Sequence, residues 1–356
     1  MKYTLTPENF EVRELFNPQL KTTGKYIYYI LEKKGMSHKE AVKKIGVSAY
    51  FNGVKDKNAS TKQWFCTTEK IDEVNEPDFK IKLKGALNER IHVGKHKGNA
   101  FCVKVEFNEE EQKSMKYFKA KNEYVCNYFG EQRFSENTIE ICKAIEEKNF
   151  ETALKLFLTK NSKFDSDKSR AMKKVIENEW GNWKKILEHP EIKDTGKVVL
   201  FEYLEKNPKD YSGAFLYTEE KSTKTLIKAA QSLRFNEKLN KMAKEKKPNN
   251  INAQIAGPST PQGAGPANAT HLHGQNFYIS ASKAFPRKII IDPTEFENKF
   301  RKSFLERKTF FTAEKFRPRR LDKTYFELNF ELQKGSYATV FLAFLDSWLK
   351  NKINKG

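Results

Sequence analysis

Gly53-Val54-Lys55-Asp56-Lys57-Asn58-Ala59-Ser60-Thr61-Lys62-Gln63 runs from a turn into a strand and sets one acid among bases and small polar residues. By itself Gly-x-Lys-Asp is an ordinary turn, in which Gly supplies a positive φ and Asp bonds the backbone two residues on. Neighbouring side chains alternate along an extended segment, so Lys55 and Lys57 are expected to point away from Asp56. The cation that keeps this acid ionised then has to come from elsewhere in the fold. With Ser60 to Phe65 as a strand, Thr61 and Gln63 share a face and bring two neutral hydrogen-bonding groups beside the acid.

Around this segment the chain up to about Phe107 is mainly strands. Tyr26 to Leu31 is β-branched and aromatic, while Lys80 to Leu83 and Phe101 to Phe107 alternate as half-buried strands do. One helix interrupts them, with Ser37 as N-cap, Ala41, Val42 and Ile45 on one face and Gly46 at C′. From about Asn137 the period becomes helical, over Thr138 to Lys148, Phe150 to Thr159, Ala171 to Leu187 and Thr223 to Lys246. The outer side of the last carries Lys224, Lys228, Arg234, Lys238 and Lys241, either a solvated face or one that tracks phosphates. Pro248 to Thr270 has no charged residue in a chain that is 31% charged, which marks a linker or loop. Helix resumes at Asp292-Pro293, read as N-cap and N1. A strand pair closes the chain: Phe326, Leu328, Phe330 and Leu332 alternate with Glu327, Asn329 and Glu331, and Gly335-Ser336 turns into a strand from Tyr337 to Leu345. The expected fold class is α+β. Strands at both ends with helices between them predict one sheet domain, 1–140 completed by 318–356, split by a mostly helical insertion, 141–317, with a flexible loop at 248–275.

Sixty-six Lys and Arg against 46 Asp and Glu give a net charge of +20, and 38% hydrophobic residues with 28 Phe supply a core. Such a chain suits a polyanionic partner, RNA or DNA, gripped through phosphates with release of counterions. No apolar run is long enough to span a membrane, the longest, Ala338 to Leu345, having a strand's length. Met1 to Pro7 lacks the apolar stretch of a secretory signal, so the expected location is cytoplasmic. Cys66, Cys102, Cys126 and Cys142 form no C-x-x-C pair and read as reduced, packed thiols. No metal site is expected, because His271-Leu272-His273 has no carboxylate or thiol nearby. Motifs of the G-x-x-x-x-G-K-[ST], G-x-G-x-x-G and H-E-x-x-H kinds are absent.

Three further segments combine glycines, amides, cations and aromatics: Gly94-Lys95-His96-Lys97-Gly98-Asn99-Ala100-Phe101, Asn127-Tyr128-Phe129-Gly130-Glu131-Gln132-Arg133-Phe134 and Lys334-Gly335-Ser336-Tyr337-Ala338-Thr339. The second has the makings of a surface that stacks bases and grips their backbone. Together with Phe10-Glu11-Val12-Arg13-Glu14, the Asp56 segment and Gln231-Ser232-Leu233-Arg234-Phe235-Asn236, their order resembles the TruD family of tRNA pseudouridine synthases. The six motifs span nearly the whole chain, with the poorest match from about Phe150 to Ala230 and from Lys244 to Thr312.

The resemblance implies a pseudouridine-synthase fold with a mixed, mainly antiparallel sheet and an inserted TruD-type domain. It also implies the reaction: the bond from uridine N1 to ribose breaks, the uracil turns and rejoins through C5, with no metal or cofactor. The implied substrate is tRNA, usually the uridine at position thirteen, and the implied enzyme is a monomer without a protein partner. By motif position Asp56 is the catalytic aspartate, either nucleophile at the ribose or the base that removes a sugar proton, and both roles need it ionised and shielded from bulk water. Phe129 would stack on the flipped-out uracil, Asn127 would hold the Asp56 loop or the nucleotide, and Tyr337 would line the pocket from the last strand. Gln63, Lys55 and Asn99 complete the expected substrate contacts, and Lys95, Lys97, Arg133, Lys224 and Lys228 are expected along the RNA backbone. The chain departs from the pattern at Thr4, where a Lys or Arg usually precedes the motif's Phe by six residues; Lys2 or Lys25 is the expected substitute. Cys126 and Ser135 stand where Pro and Gly are usual, Ala343-Phe344 replaces an Arg-Glu pair, and Arg319-Arg320 fits an arginine pair loosely. Two other functions would also explain the charge: a tRNA-binding protein of the same fold with weak or no catalysis, and a basic ribosome-associated protein, which leaves the motifs unexplained.

Overall fold

A computed structural model describes residues 1–130, 133–134, 137–162, 165–193, 195–245, 286–300 and 304–354. The strands are β1 (Phe10–Leu15), β2 (Tyr26–Lys34), β3 (Ala49–Phe51), β4 (Ser60–Thr67), β5 (Val74–Glu76), β6 (Phe79–Leu87), β7 (Gly98–Glu106), β8 (Val125–Cys126), β9 (Lys288–Ile291), β10 (Leu305–Lys308), β11 (Phe310–Phe311), β12 (Glu314–Arg320) and β13 (Tyr325–Gln333). Nine of them form one sheet in the order β12-β13-β7-β1-β4-β2-β6-β5, with β3 also on β4. Alternation drives it: in β1, Phe10, Val12 and Glu14 turn inward while Glu11 and Arg13 face water. Gly98 opens β7 so close to β13 that a Cβ there would fall 2.0 Å from the Leu332 carbonyl oxygen.

The pairings are antiparallel except β1 with β4. Along the whole of β4 one edge belongs to β2. The other edge is shared: β1 takes Ser60–Lys62, and β3 takes Phe65–Thr67. The chain between β3 and β4 therefore cannot stay in the sheet where β1 enters, and residues 52–59 rise above its face as a loop. This places Asp56 over the middle of the sheet.

Helices α1 (His38–Ile45) and α2 (Glu109–Met115) lie within the strand-rich part, and α12 (Ala338–Ile353) closes the chain; α3 (Thr138–Glu146), α4 (Phe150–Thr159), α5 (Asp167–Asn178), α6 (Trp183–Glu188), α7 (Pro190–Lys193), α8 (Val198–Lys206), α9 (Tyr211–Ala214), α10 (Glu220–Glu245) and α11 (Glu295–Asn298) lie between. Ser37 and Glu40 close a capping box on α1, and Gly46 ends it at φ 78°. Three apolar cores matter here. Phe10, Val12, Phe101, Val103 and Phe330 pack with Phe341 and Leu345 of α12. Tyr29, Leu31, Phe65 and Ile81 pack with Ala41 and Ile45 of α1. Ile145, Leu154, Trp183, Phe201, Phe215 and Leu226 join α3, α4, α6, α8 and α10.

The α+β class and the mixed, mainly antiparallel sheet agree with expectation. Three local expectations do not. Tyr337 to Leu345 is not a strand but the cap and first turns of α12. β13 already has β12 on one edge and β7 on the other, so no edge is left for a following strand. The buried Ala338, Phe341, Leu342, Leu345 and Leu349 recur at helical spacing, a period that a short apolar run conceals. Ala171 to Leu187 is two helices, α5 and α6, broken around Gly181 at φ 93°. The helix expected at Asp292 starts later, because Thr294 and Glu297 form the reciprocal capping box of α11. The uncharged stretch 248–270 and the neighbouring His271 and His273, like Glu131, Gln132 and Ser135, lie outside the described residues.

Candidate active site

Cross-strand neighbours share a face of a sheet, and two adjacent rows on the inner face carry the polar groups. One row runs Leu332, Asn99, Glu14, with Gln63 beside Glu14 one step past the last β1–β4 pair, and then Leu31. The next runs Phe330, Phe101, Val12, Thr61, Lys33. Lys33, Thr61, Gln63, Glu14 and Asn99 thus form a polar strip between two apolar cores.

The Asp56 loop is fastened to that strip. Lys33 Nζ donates to the carbonyl oxygens of Met36 at 2.7 Å, Asp56 at 2.9 Å and Lys55 at 3.4 Å. Glu14 accepts from Lys55 Nζ at 2.9 Å, Asn52 Nδ2 at 2.9 Å and the Trp64 backbone N–H at 3.1 Å. The last is a β4 donor left over where β1 ends and β3 has not begun. Asp56 itself is exposed. Desolvation by the surrounding protein pushes its carboxyl above the usual range, opposed by the positive charges of Lys33 and then Lys55. Around Glu14, both amide atoms of Gln63, Asn52 Oδ1, His96 Nδ1 and Asn99 Oδ1 are buried without a partner among the described residues. Buried polar atoms rarely stay unpaired, so this group is equipped to receive a polar ligand. Burial pushes the His96 imidazole below its ordinary pKa.

A second cluster is built on β8, β10 and α10. Arg307 lies 3.9 Å from the centre of the Phe129 ring, and it donates to the Asn127 carbonyl and Oδ1, each at 2.9 Å, and to the Tyr128 carbonyl at 3.1 Å. Burial lowers its pKa to about 10. Phe129 is only 5% exposed, with Phe235 edge-on at 5.5 Å and Tyr337 at 6.4 Å. Asn236 clasps the Phe129 backbone, accepting from its N–H at 2.8 Å and donating to its carbonyl at 3.0 Å. One turn on, Asn240 Oδ1 accepts from the Tyr128 hydroxyl at 2.7 Å. The Gln333–Tyr337 turn links the clusters: Lys334 donates its N–H to Lys97 O at 3.0 Å and its ammonium to Gly94 O at 2.8 Å, while Tyr337 caps α12 beside Phe129.

Several expected residues therefore stand differently from their sequence reading. Lys55 turns down to Glu14 and is buried, so it is not free to touch a substrate. Asn127 spends its side chain on Arg307 and the Lys308 carbonyl, not on the Asp56 loop. Lys2 pairs through its backbone with Glu106 at the far end of β7, and Lys25 packs over Tyr26 at the opposite end of β2 from Lys33; neither is the cation beside Asp56. The positive charges acting on Asp56 are those of Lys33 and then Lys55, and Lys33 carries a signal in the chain: Tyr29, Leu31 and Lys33 fall in one buried phase of β2, as Phe10, Val12 and Glu14 do in β1. Arg307, distant in sequence from every motif, carried no such signal.

The basic residues are mixed. Lys95 pairs with Glu89 and Lys224 with Glu220 at the surface, while Lys97 and Lys228 are exposed. Arg133 packs 5.2 Å from the Phe129 ring. Arg234 leaves the α10 stripe for Glu146 and Glu297, a network tying α3, α10 and α11 together. Arg319 pairs with Glu327, and Arg320 bonds the Asp322 carbonyl on the outer strand β12. No helix among the described residues is long and apolar enough to cross a membrane.

A family model described as tRNA pseudouridine synthase D (TruD) matches residues 3–291. A tRNA pseudouridine synthase D 1 of Methanococcus maripaludis is 26% identical over 69% of this chain and 67% of its own length. A tRNA pseudouridine synthase D 2 of Methanocaldococcus jannaschii is 28% identical over 67% of this chain and 60% of its own. The fold matches the crystal structure of a tRNA pseudouridine synthase D from Methanosarcina mazei with a TM-score of 0.62, over 97% of this chain and 92% of that one, at 21% identity.

Proposed function

The chain belongs to the tRNA pseudouridine synthase D (TruD) family, and from that premise we propose that it isomerises uridine in tRNA, at position thirteen, to pseudouridine. The reaction conserves every atom: the N1–C1′ bond breaks, a C5–C1′ bond forms, the proton on C5 leaves and N1 regains one. The enzyme we propose is a cytoplasmic monomer that needs no cofactor, with residues 1–140 and 318–356 as its catalytic unit.

The observation that carries this reading is the exposed Asp56 carboxylate on a loop pinned from below, beside a patch of buried polar atoms around Glu14 that lack partners among the described residues. Asp56 acts at the ribose in its ionised form, as nucleophile or as base. Gln63 and Asn99 offer free amide atoms to the flipped uracil or its ribose. Phe129 and Arg307 together form the stacking platform: the ring backs the guanidinium, which presents a flat cationic face to the base, with Tyr337 at its side. Lys97, Lys228, Lys238 and Lys241 are exposed cations for the backbone.

The test is to incubate the protein with unmodified tRNA and map pseudouridine, beside Asp56→Asn. We expect product from the unaltered protein, a rate lower by ~10³-fold in the variant, and tRNA binding retained. Binding without product in the unaltered protein would sink the enzyme reading in favour of a tRNA-binding protein of the same fold; full activity in the variant would remove only Asp56 from its role.

A further inference from the structure

We propose that Lys33 is the positioning residue of the Asp56 loop: its ammonium, seated on the loop's own carbonyl oxygens, sets where the carboxylate stands and supplies the net positive charge that keeps it ionised. The inference rests on the reading of Asp56 as the catalytic acid. Lys33 is 2% exposed, and a buried ammonium costs several kcal/mol unless its donors are satisfied. Three carbonyls satisfy them, Met36 before α1 and Lys55 and Asp56 in the loop. Carbonyl oxygens solvate a cation without cancelling its charge, and Lys33 forms no ion pair among the described residues.

Lys55 differs in that respect. It belongs to the loop itself, but Glu14 neutralises it at 2.9 Å. Of the two cations that act on Asp56, Lys33 is thus the one whose field is uncompensated. The other groups facing this corner do not replace it. From α1, Glu40 is tied to Ser37 in the capping box, and burial, then Lys33 and Lys55, push the His38 imidazole below its ordinary pKa. From the loop and its neighbours, Lys57 is exposed, burial pushes the His96 imidazole below its ordinary pKa, and Lys334 is anchored to Gly94. Both bonds from Lys33 to the loop also lock the backbone of the residue that carries the carboxylate, so position and charge come from one side chain.

Lys33→Met, Lys33→Arg and Thr4→Lys separate these roles, using single-turnover rates on unmodified tRNA across the acid limb, tRNA affinity and thermal melting. We expect Lys33→Met to slow the reaction by ~10²-fold and to move the acid limb up by about one pH unit or more, because Asp56 then protonates more readily, with tRNA affinity kept. Lys33→Arg keeps the charge and should hold the acid limb near that of the unaltered protein. Thr4 is exposed, so Thr4→Lys leaves the fold alone, and it should change the rate by less than about two-fold because the cation is already in place. An acid limb unmoved in Lys33→Met would reduce Lys33 to support of the fold and overturn the proposal. A gain of about ten-fold in Thr4→Lys would do the same, by showing that the site lacks its cation. No product from the unaltered protein overturns the functional reading itself, and the assignment of Lys33 with it.

Discussion

The side of the site that carries Asp56 and the side that carries Phe129 are joined by the Gln333–Tyr337 turn, yet the first is held by charge and the second by shape. Beneath Asp56 lie a buried lysine on three carbonyls and a buried Lys55–Glu14 pair. Around Phe129 lie Phe235, Tyr337 and the flat guanidinium of Arg307, clasped by one asparagine. The contrast follows from the work each side would do. A carboxylate in a desolvated corner needs fixed opposite charge to stay ionised. A stacking surface needs a rigid plane, which close packing supplies.

The largest effect should come from breaking the charge on the Asp56 side without changing its shape. Glu14→Gln leaves Lys55 buried and unpaired and should cost ~3–5 kcal/mol, read from denaturant midpoints. Adding Lys55→Met should restore most of that loss; failure to do so would mean that Glu14 serves chiefly the Trp64 N–H and Asn52. On the Phe129 side a shape change is the matching probe. Phe129→Leu keeps an apolar side chain but removes the ring beneath Arg307, for a loss of about 2 kcal/mol and a lower rate with tRNA affinity little altered. Asn236→Ala, which strips the Phe129 N–H and carbonyl of partners, should cost ~1–2 kcal/mol by the same measurement.

The smallest effect concerns Asp56 itself and runs the other way. Its folded-state carboxyl holds a proton more tightly than the unfolded chain does, so the fold is favoured while Asp56 is protonated and loses that advantage as pH rises through the folded pKa, above the ordinary value of 3.8. Asp56→Asn should therefore be slightly more stable than the unaltered protein at neutral pH, with the difference vanishing in acid. Equal stability at both would mean that Lys33 and Lys55 fully offset the desolvation.

Much of this was readable in the chain. The alternation of β1, β2, β4, β7 and β13 and the Ser37-to-Gly46 caps of α1 are local properties, and the structure holds them, whereas in β6 the alternation stops after Ile81 and Leu83 is exposed. The motif order singles out Asp56, Gln63, Asn99, Asn127, Phe129 and Tyr337. The misreadings share a cause. Tyr337 to Leu345 is apolar enough for either strand or helix, and what excluded the strand was occupancy of both edges of β13 by segments before and far before it. Lys55 looks free in the sequence because alternation says where a side chain points along an extended segment, not that Glu14 of β1 waits for it across a bend.

Sequence alone therefore determined the α+β class, the family and which acid to stake the chemistry on, since periodicity and ordered motifs are written within short stretches of chain. Only the tertiary structure decided what surrounds that acid. The insertion of β1 beside β4 forces residues 52–59 out of the sheet, and this brings their carbonyls onto a lysine of β2 and their lysine onto a glutamate of β1. It likewise decided that Arg307, 178 positions after Phe129 in the numbering, covers that ring. Electrostatic and stacking contacts act through space, between residues that only the pairing of distant strands makes neighbours.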